Sequence, residues 1–132
     1  MTIPAKTALS PEARLLARFL PRFEEAYRKF NKREYVSPDP LEKLYLYDAP
    51  ADREAAGLAV SSIAYGRVAQ ILNNADRLLA VLGPSPKKFL EETPPGDLPG
   101  LFKGFKHRFT AGPEMGAFLG GVGEVLREYG GL

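Results

Sequence analysis

The sequence predicts an all-α fold. Four stretches repeat apolar residues at three- and four-residue spacing, and no convincing strand pattern of alternating apolar and polar residues occurs. The length, 132 residues, suits a single all-α domain over 1–132 that can bury a core. Hydrophobic residues at 45% and charged residues at 26% place the chain among globular proteins rather than disordered ones.

The first helix starts at Ser10-Pro11, a capping hydroxyl followed by proline at the first helical position. Leu15, Leu16, Phe19, Leu20, Phe23, Tyr27 and Phe30 form its apolar stripe. Pro21 falls inside this pattern and is expected to kink or split the helix. Tyr35 to Pro40 reads as extended, because residues before proline avoid the helical region. Asp39 can cap a short helix from Pro40 to about Leu44.

A second long helix is expected from about Ala51 to Tyr65. Its segment Ala55–Ala64 is uncharged and mostly small, the pattern of a central buried helix. Ala56, Val60, Ile63 and Ala64 are the expected contacts with the helices at 68–82 and 113–129. Gly66 ends it. Val68, Ile71, Leu72, Ala75, Leu78, Leu79 and Leu82 define the next helix, closed by Gly83-Pro84. Ser85-Pro86 opens a short helix with Phe89 and Leu90. Residues 93–100 are a loop by composition. The last helix spans about Pro113 to Tyr129. Met115, Phe118, Leu119, Val122, Val125, Leu126 and Tyr129 lie on one face, and that stripe must pack inside this chain or against another.

Composition narrows the chemistry. Without cysteine, disulfides, thiol nucleophiles and thiolate zinc sites are excluded. His107 is the single histidine, so metal clusters and Ser-His-Asp chemistry have little to draw on. No cofactor is implied and no catalytic residue stands out. No apolar run is long enough to span a membrane, and Met1–Lys6 lacks the apolar stretch of a signal peptide. The expected location is the cytoplasm. Arginine outnumbers asparagine and glutamine, and proline is abundant, which leans towards a thermophilic source.

The net charge is only +2, but it is unevenly spread. Residues 1–37 carry eight bases and four acids, and residues 38–60 two bases and five acids. Residues 99–110 contain Lys103, Lys106, His107 and Arg108 and no acid. Cations interleaved with aromatics can hold a nucleic-acid backbone while a ring stacks on a base. Phe102, Phe105 and Phe109 also sit at helical spacing, which reads as core. Arg67 follows Gly66 at a helix start, where free N–H groups favour an anion, although a glycine at a tight corner accounts for the same residues. Leu98-Pro99-Gly100-Leu101 looks like the turn of a helix-hairpin-helix motif. The second glycine of that motif is Phe102 here.

Three blocks are less generic: Tyr35–Leu41, Tyr47–Glu54 and Ala64–Ile71. With Gly83–Pro86, Phe89-Leu90 and Lys106–Thr110 in the same order, they resemble an uncharacterised, mainly bacterial family. Its members look distantly similar to helix-hairpin-helix DNA glycosylases. The resemblance runs from about residue 10 to the end and is most specific over Ala64–Ile71. It implies that the helix at 51–65 matches the central glycosylase helix, and that Tyr65-Gly66-Arg67 matches the loop that approaches the DNA minor groove. The catalytic acid of those enzymes belongs to a second half beyond this chain, so no catalytic residue carries over. The expectation is a non-catalytic or incomplete glycosylase-like domain that binds double-stranded DNA in repair, through Tyr65, Arg67, Lys103, Lys106, His107 and Arg108. The alternative is an interaction module, pairing as a homodimer or with a C-terminal half.

Overall fold

The structure is a computed structural model that describes residues 10–132. The reading of Met1–Lys6 as lacking a signal stretch lies outside the described residues. The chain divides into two units, Met1–Val36 and Ser37–Leu132.

In the first unit, α1 spans Pro11–Phe30. The Ser10 hydroxyl accepts from the Ala13 N–H at 3.2 Å and caps it, as the Ser-Pro start predicts. The helix is not split at Pro21, and one helix runs through it. Proline removes a single backbone donor there, and the turns on either side keep theirs. None of the α1 residues is buried. A short 3₁₀ turn, Arg33–Tyr35, follows.

The second unit holds the core. A 3₁₀ segment, Pro40–Leu46, is capped by Asp39, whose carboxylate accepts from the Leu41 N–H at 2.8 Å. It leads through Tyr47 to α2 (Pro50–Ser61), α3 (Val68–Leu82), α4 (Pro86–Glu92), the single turn α5 (Leu98–Leu101) and α6 (Gly112–Tyr129). Between α5 and α6 lies a small antiparallel ladder, β1 (Lys106–His107) with β2 (Thr110–Ala111). The fold is therefore mainly helical. The ladder corrects the expectation of no strand at all.

The α2 helix stops at Ser61, four residues short of its expected end. The Ser61 and Ser62 hydroxyls donate to the carbonyls of Leu58 and Ala59 at 2.9 and 2.7 Å. The Ser62 hydroxyl takes Ala59 O, the acceptor that a continuing helical Ile63 N–H would use. The Ile63 N–H turns instead to Val60 O. Ala56, Val60 and Ile63 are buried as expected, whereas Ala64, beyond the helix, is exposed.

The α6 stripe splits. Met115, Leu119, Val122 and Leu126 enter the core with Leu78, Leu82, Leu90, Leu98 and Phe102. Phe118, Val125 and Tyr129 stay exposed. The helix lies close against α4 and α5, and side chains from α2 and α6 cap the two ends of α4. Asp52 on α2 accepts from the Lys87 N–H at the start of α4 (3.0 Å). Arg127 on α6 donates to the Leu90 and Glu91 carbonyls at its end (3.0 and 3.1 Å). These are termini whose backbone groups have no intrahelical partner, and side chains from other elements supply one. Lys43 ties the 3₁₀ segment to α3 through Asp76, at 2.7 Å. The hydrogen bond to that carboxylate raises the Lys43 pKa above its ordinary value.

Candidate functional site

The β1–β2 ladder is a hairpin with a two-residue turn, Arg108-Phe109. Lys106 faces Ala111 and His107 faces Thr110. Such tight turns need backbone in the left-handed region. Arg108 adopts it at φ +50°, among the described residues the one non-glycine to do so. That conformation costs an ordinary side chain roughly 1 kcal/mol. Successive residues in a strand point to opposite faces, so Lys106 is exposed while His107 is buried.

His107 fastens the hairpin to the helices. Its Nε2–H donates to the Tyr65 carbonyl at 2.9 Å, and its Nδ1 accepts from the Asn74 amide of α3 at 2.9 Å. Tyr65 binds back. Its hydroxyl donates to the His107 carbonyl at 3.3 Å and accepts from the Thr110 hydroxyl at 2.9 Å. The two rings meet edge-on, 4.8 Å between centroids. Arg77 extends the network, reaching the Asn74 side-chain oxygen and the Gly104 carbonyl. Both His107 ring nitrogens are used, and only 2% of the residue is exposed. Removing Asn74 strands a buried ring nitrogen, which costs about 1–3 kcal/mol. Asn74→Ala should therefore lower stability by that amount in urea melts followed by circular dichroism. An unchanged midpoint would mean that the network does not hold the hairpin.

Next to this staple, Gly66 turns the chain at φ +110°. A Cβ there would lie 3.1 Å from Arg108 Cδ and 3.3 Å from its Nη1. Glycine at position 66 thus serves twice, for the backbone angle and for the space the Arg108 side chain occupies. Arg67 is the N-cap residue of α3 rather than part of its first turn, in extended conformation and exposed. The first N–H groups of α3 have no intrahelical acceptor, and the positive end of the helix dipole lies there. The Arg108 guanidinium sits 5.8 Å from the centroid of the Phe109 ring. Phe109, expected as core, is 88% exposed at the turn. Its helical spacing from Phe102 and Phe105 has no meaning once the chain leaves the helix, and only those two are buried.

The expected site residues therefore separate. Arg67 and Arg108 come together around Gly66. Lys106 shares the hairpin with Arg108. Lys103 lies in another small hollow, with Arg77, Phe102 and Phe105. Tyr65 and His107 are the clamp behind the surface. Asn74 and Thr110 were not among the expected site residues, and Phe109 was read as core. An exposed basic-aromatic pair next to a buried histidine is a signal only after the hairpin is known. Among the described residues, Lys32, Lys43, Lys87 and Lys88 pair with acids. Arg67, Lys103, Lys106 and Arg108 have no acidic partner there.

A groove of about 510 Å³ lies between the 3₁₀ segment, α2 and α3, and Gly66 at the corner also lines it. Leu41, Leu44, Val60, Val68 and Ile71 make it largely apolar. Its one carboxylate, Asp39, is engaged as a cap. Among the described residues, no group of three or more His, Asp or Glu side chains could hold a metal ion. No helix there is long and apolar enough to cross a membrane.

A family described as "Protein of unknown function (DUF2400)" matches residues 39–132. The chain belongs to this family. The match includes Tyr47–Glu54, Ala64–Ile71 and Lys106–Thr110, the hairpin and its clamp among them, and begins after Tyr35–Pro38. No curated protein and no solved structure matches the chain. The DUF2400 match thus covers the whole candidate site, and none of α1.

Proposed function

We propose that this DUF2400 chain binds nucleic acid, double-stranded DNA in the first instance, through the 106–111 hairpin and the start of α3. The reading includes a link to DNA repair and binding rather than catalysis. One observation carries it. Arg67, Lys106 and Arg108 are exposed and have no acidic partner among the described residues, while Lys43, Lys87 and Lys88 of the second unit are paired with acids. Exposed cations next to free helix N–H groups suit phosphate oxygens. The sequence resemblance to helix-hairpin-helix glycosylases, if it holds for the fold, points to the same face, since Tyr65-Gly66-Arg67 would match their groove-facing loop. Salt titration tests the reading. Removing one cation from a phosphate lowers the slope of log affinity against log salt by roughly 1. Arg67→Ala and Arg108→Ala should each reduce it by that amount without changing sequence preference. Slopes equal to that of the parent would exclude both residues from the interface.

A second reading has its own observation. Leu58, Phe118, Val125 and Leu132 line a shallow apolar groove on the outer face of α6 and remain partly exposed. This groove suits pairing with a second copy. A mass that rises with protein concentration would favour it.

A further inference from the structure

We propose that Phe109 is a stacking platform for an unpaired nucleobase, so that this surface prefers nucleic acid with a base out of the helical stack over intact duplex. The inference rests on the nucleic-acid reading and adds the class of ligand. Phe109 is more exposed than any other large apolar side chain among the described residues. Single exposed apolar residues are common on protein surfaces, so exposure alone says little. Its placement says more. The ring sits at the turn of a hairpin that the His107–Asn74 and Tyr65–Thr110 hydrogen bonds hold against α3. A ring on a floppy loop would cost backbone ordering on binding, whereas the backbone that carries this one is already held.

The chemistry around the ring is also specific. The Arg108 guanidinium lies over Phe109, so one face of the ring has a cation and the rest of it meets water. A flat π-system with a cation beside it matches a base attached to a phosphate: the ring takes the base, and Arg108 and Lys106 take the backbone. Within a paired and stacked duplex, both faces of each base are occupied, and the ring has nothing to stack on. A bulged base or a single strand offers a free face. Stacking on an aromatic is sequence-tolerant, so the preference is for the unstacked state and not for one base.

The test uses the whole chain and three fluorescein-labelled oligonucleotides: an intact duplex, the same duplex with one bulged adenine, and a single strand. The expected result is roughly tenfold tighter binding to the bulged duplex and the single strand than to the intact duplex. Phe109→Ala should abolish this preference. Phe109→Tyr should keep it, and Phe109→Leu, apolar but without a π-face, should lose it. Because the ring is exposed, none of these variants should shift the thermal midpoint. Equal affinity of the parent for all three probes, or a preference that survives in Phe109→Ala, would overturn the proposal. Retention of the preference by Phe109→Leu would also overturn it, assigning the tip to an apolar contact such as a protein surface. Failure of the parent to bind any of the probes would instead remove the nucleic-acid reading itself.

Discussion

Gly116→Ala should destabilise the protein by about 2–4 kcal/mol, although alanine is the better helix former by up to about 1 kcal/mol. The reason is distance. A Cβ on Gly116 would run into the backbone of Pro99 and into the Leu98 carbonyl carbon at 2.7 Å. Backbone at the α5 turn has no rotamer with which to step aside. Either α6 moves off α5 or Leu98 leaves the core, where it is fully buried. Gly121→Ala on the same helix should have the opposite sign. It is exposed, and a Cβ there meets nothing within 4 Å. The helix-propensity gain then stands alone, at about 0.5–1 kcal/mol. Urea melts of the two variants beside the parent check both signs. Equal and small effects would contradict the close crossing of α5 and α6.

Val60→Asp should cost about 4 kcal/mol or more, enough to remove most of the stability of a small domain. Val60 is buried with Ala56, Ala59 and Ile63 in the same core as Leu78 and Leu82. A carboxylate there has no cation or donor to compensate its lost hydration. The matched control is Ala64→Asp. Ala64 lies past the end of α2 and is exposed, so the same chemical change should stay within about 0.5 kcal/mol. Thermal melts of the pair give a direct reading of where α2 ends. Near-parental stability of Val60→Asp would refute the burial of this helix.

Those two contrasts mark what the sequence made legible. Periodicity located α1, α3 and α6 because each repeats its apolar residues over several turns. Proline and its capping neighbour marked the start of α1 and the 3₁₀ segment. The end of α2 was hidden, because the small-residue run continues through Ser61 and Ser62. The back-bonding of their hydroxyls accompanies the end of the helix and leaves no mark in the apolar pattern. The hairpin was hidden for a different reason. A two-residue strand gives no alternation, and Arg108-Phe109 lacks the glycine or asparagine that usually signals such a turn. Phe105 and Phe109 then look like one helical face. Of the candidate site, the cations were visible as a charge pattern. The division between clamp and surface was not, because it depends on which way His107 and Lys106 point. One histidine in an acid-free stretch reads as another cation. Its partners Asn74 and Tyr65 lie 33 and 42 residues away, respectively.

The quadruple variant Arg67→Ala, Lys103→Ala, Lys106→Ala and Arg108→Ala tests most directly whether this face binds nucleic acid. All four residues are exposed and without acidic partners among the described residues, so the variant should fold with the parental circular dichroism spectrum and midpoint. Its affinity for duplex DNA at low salt should fall by at least a hundredfold, and its salt slope should drop by about 3. The slope should fall by less than one unit per cation, because Lys103 lies in a hollow apart from the others. A folded variant that binds duplex DNA as tightly as the parent at low salt would contradict the account and leave the apolar groove on α6 as the functional surface.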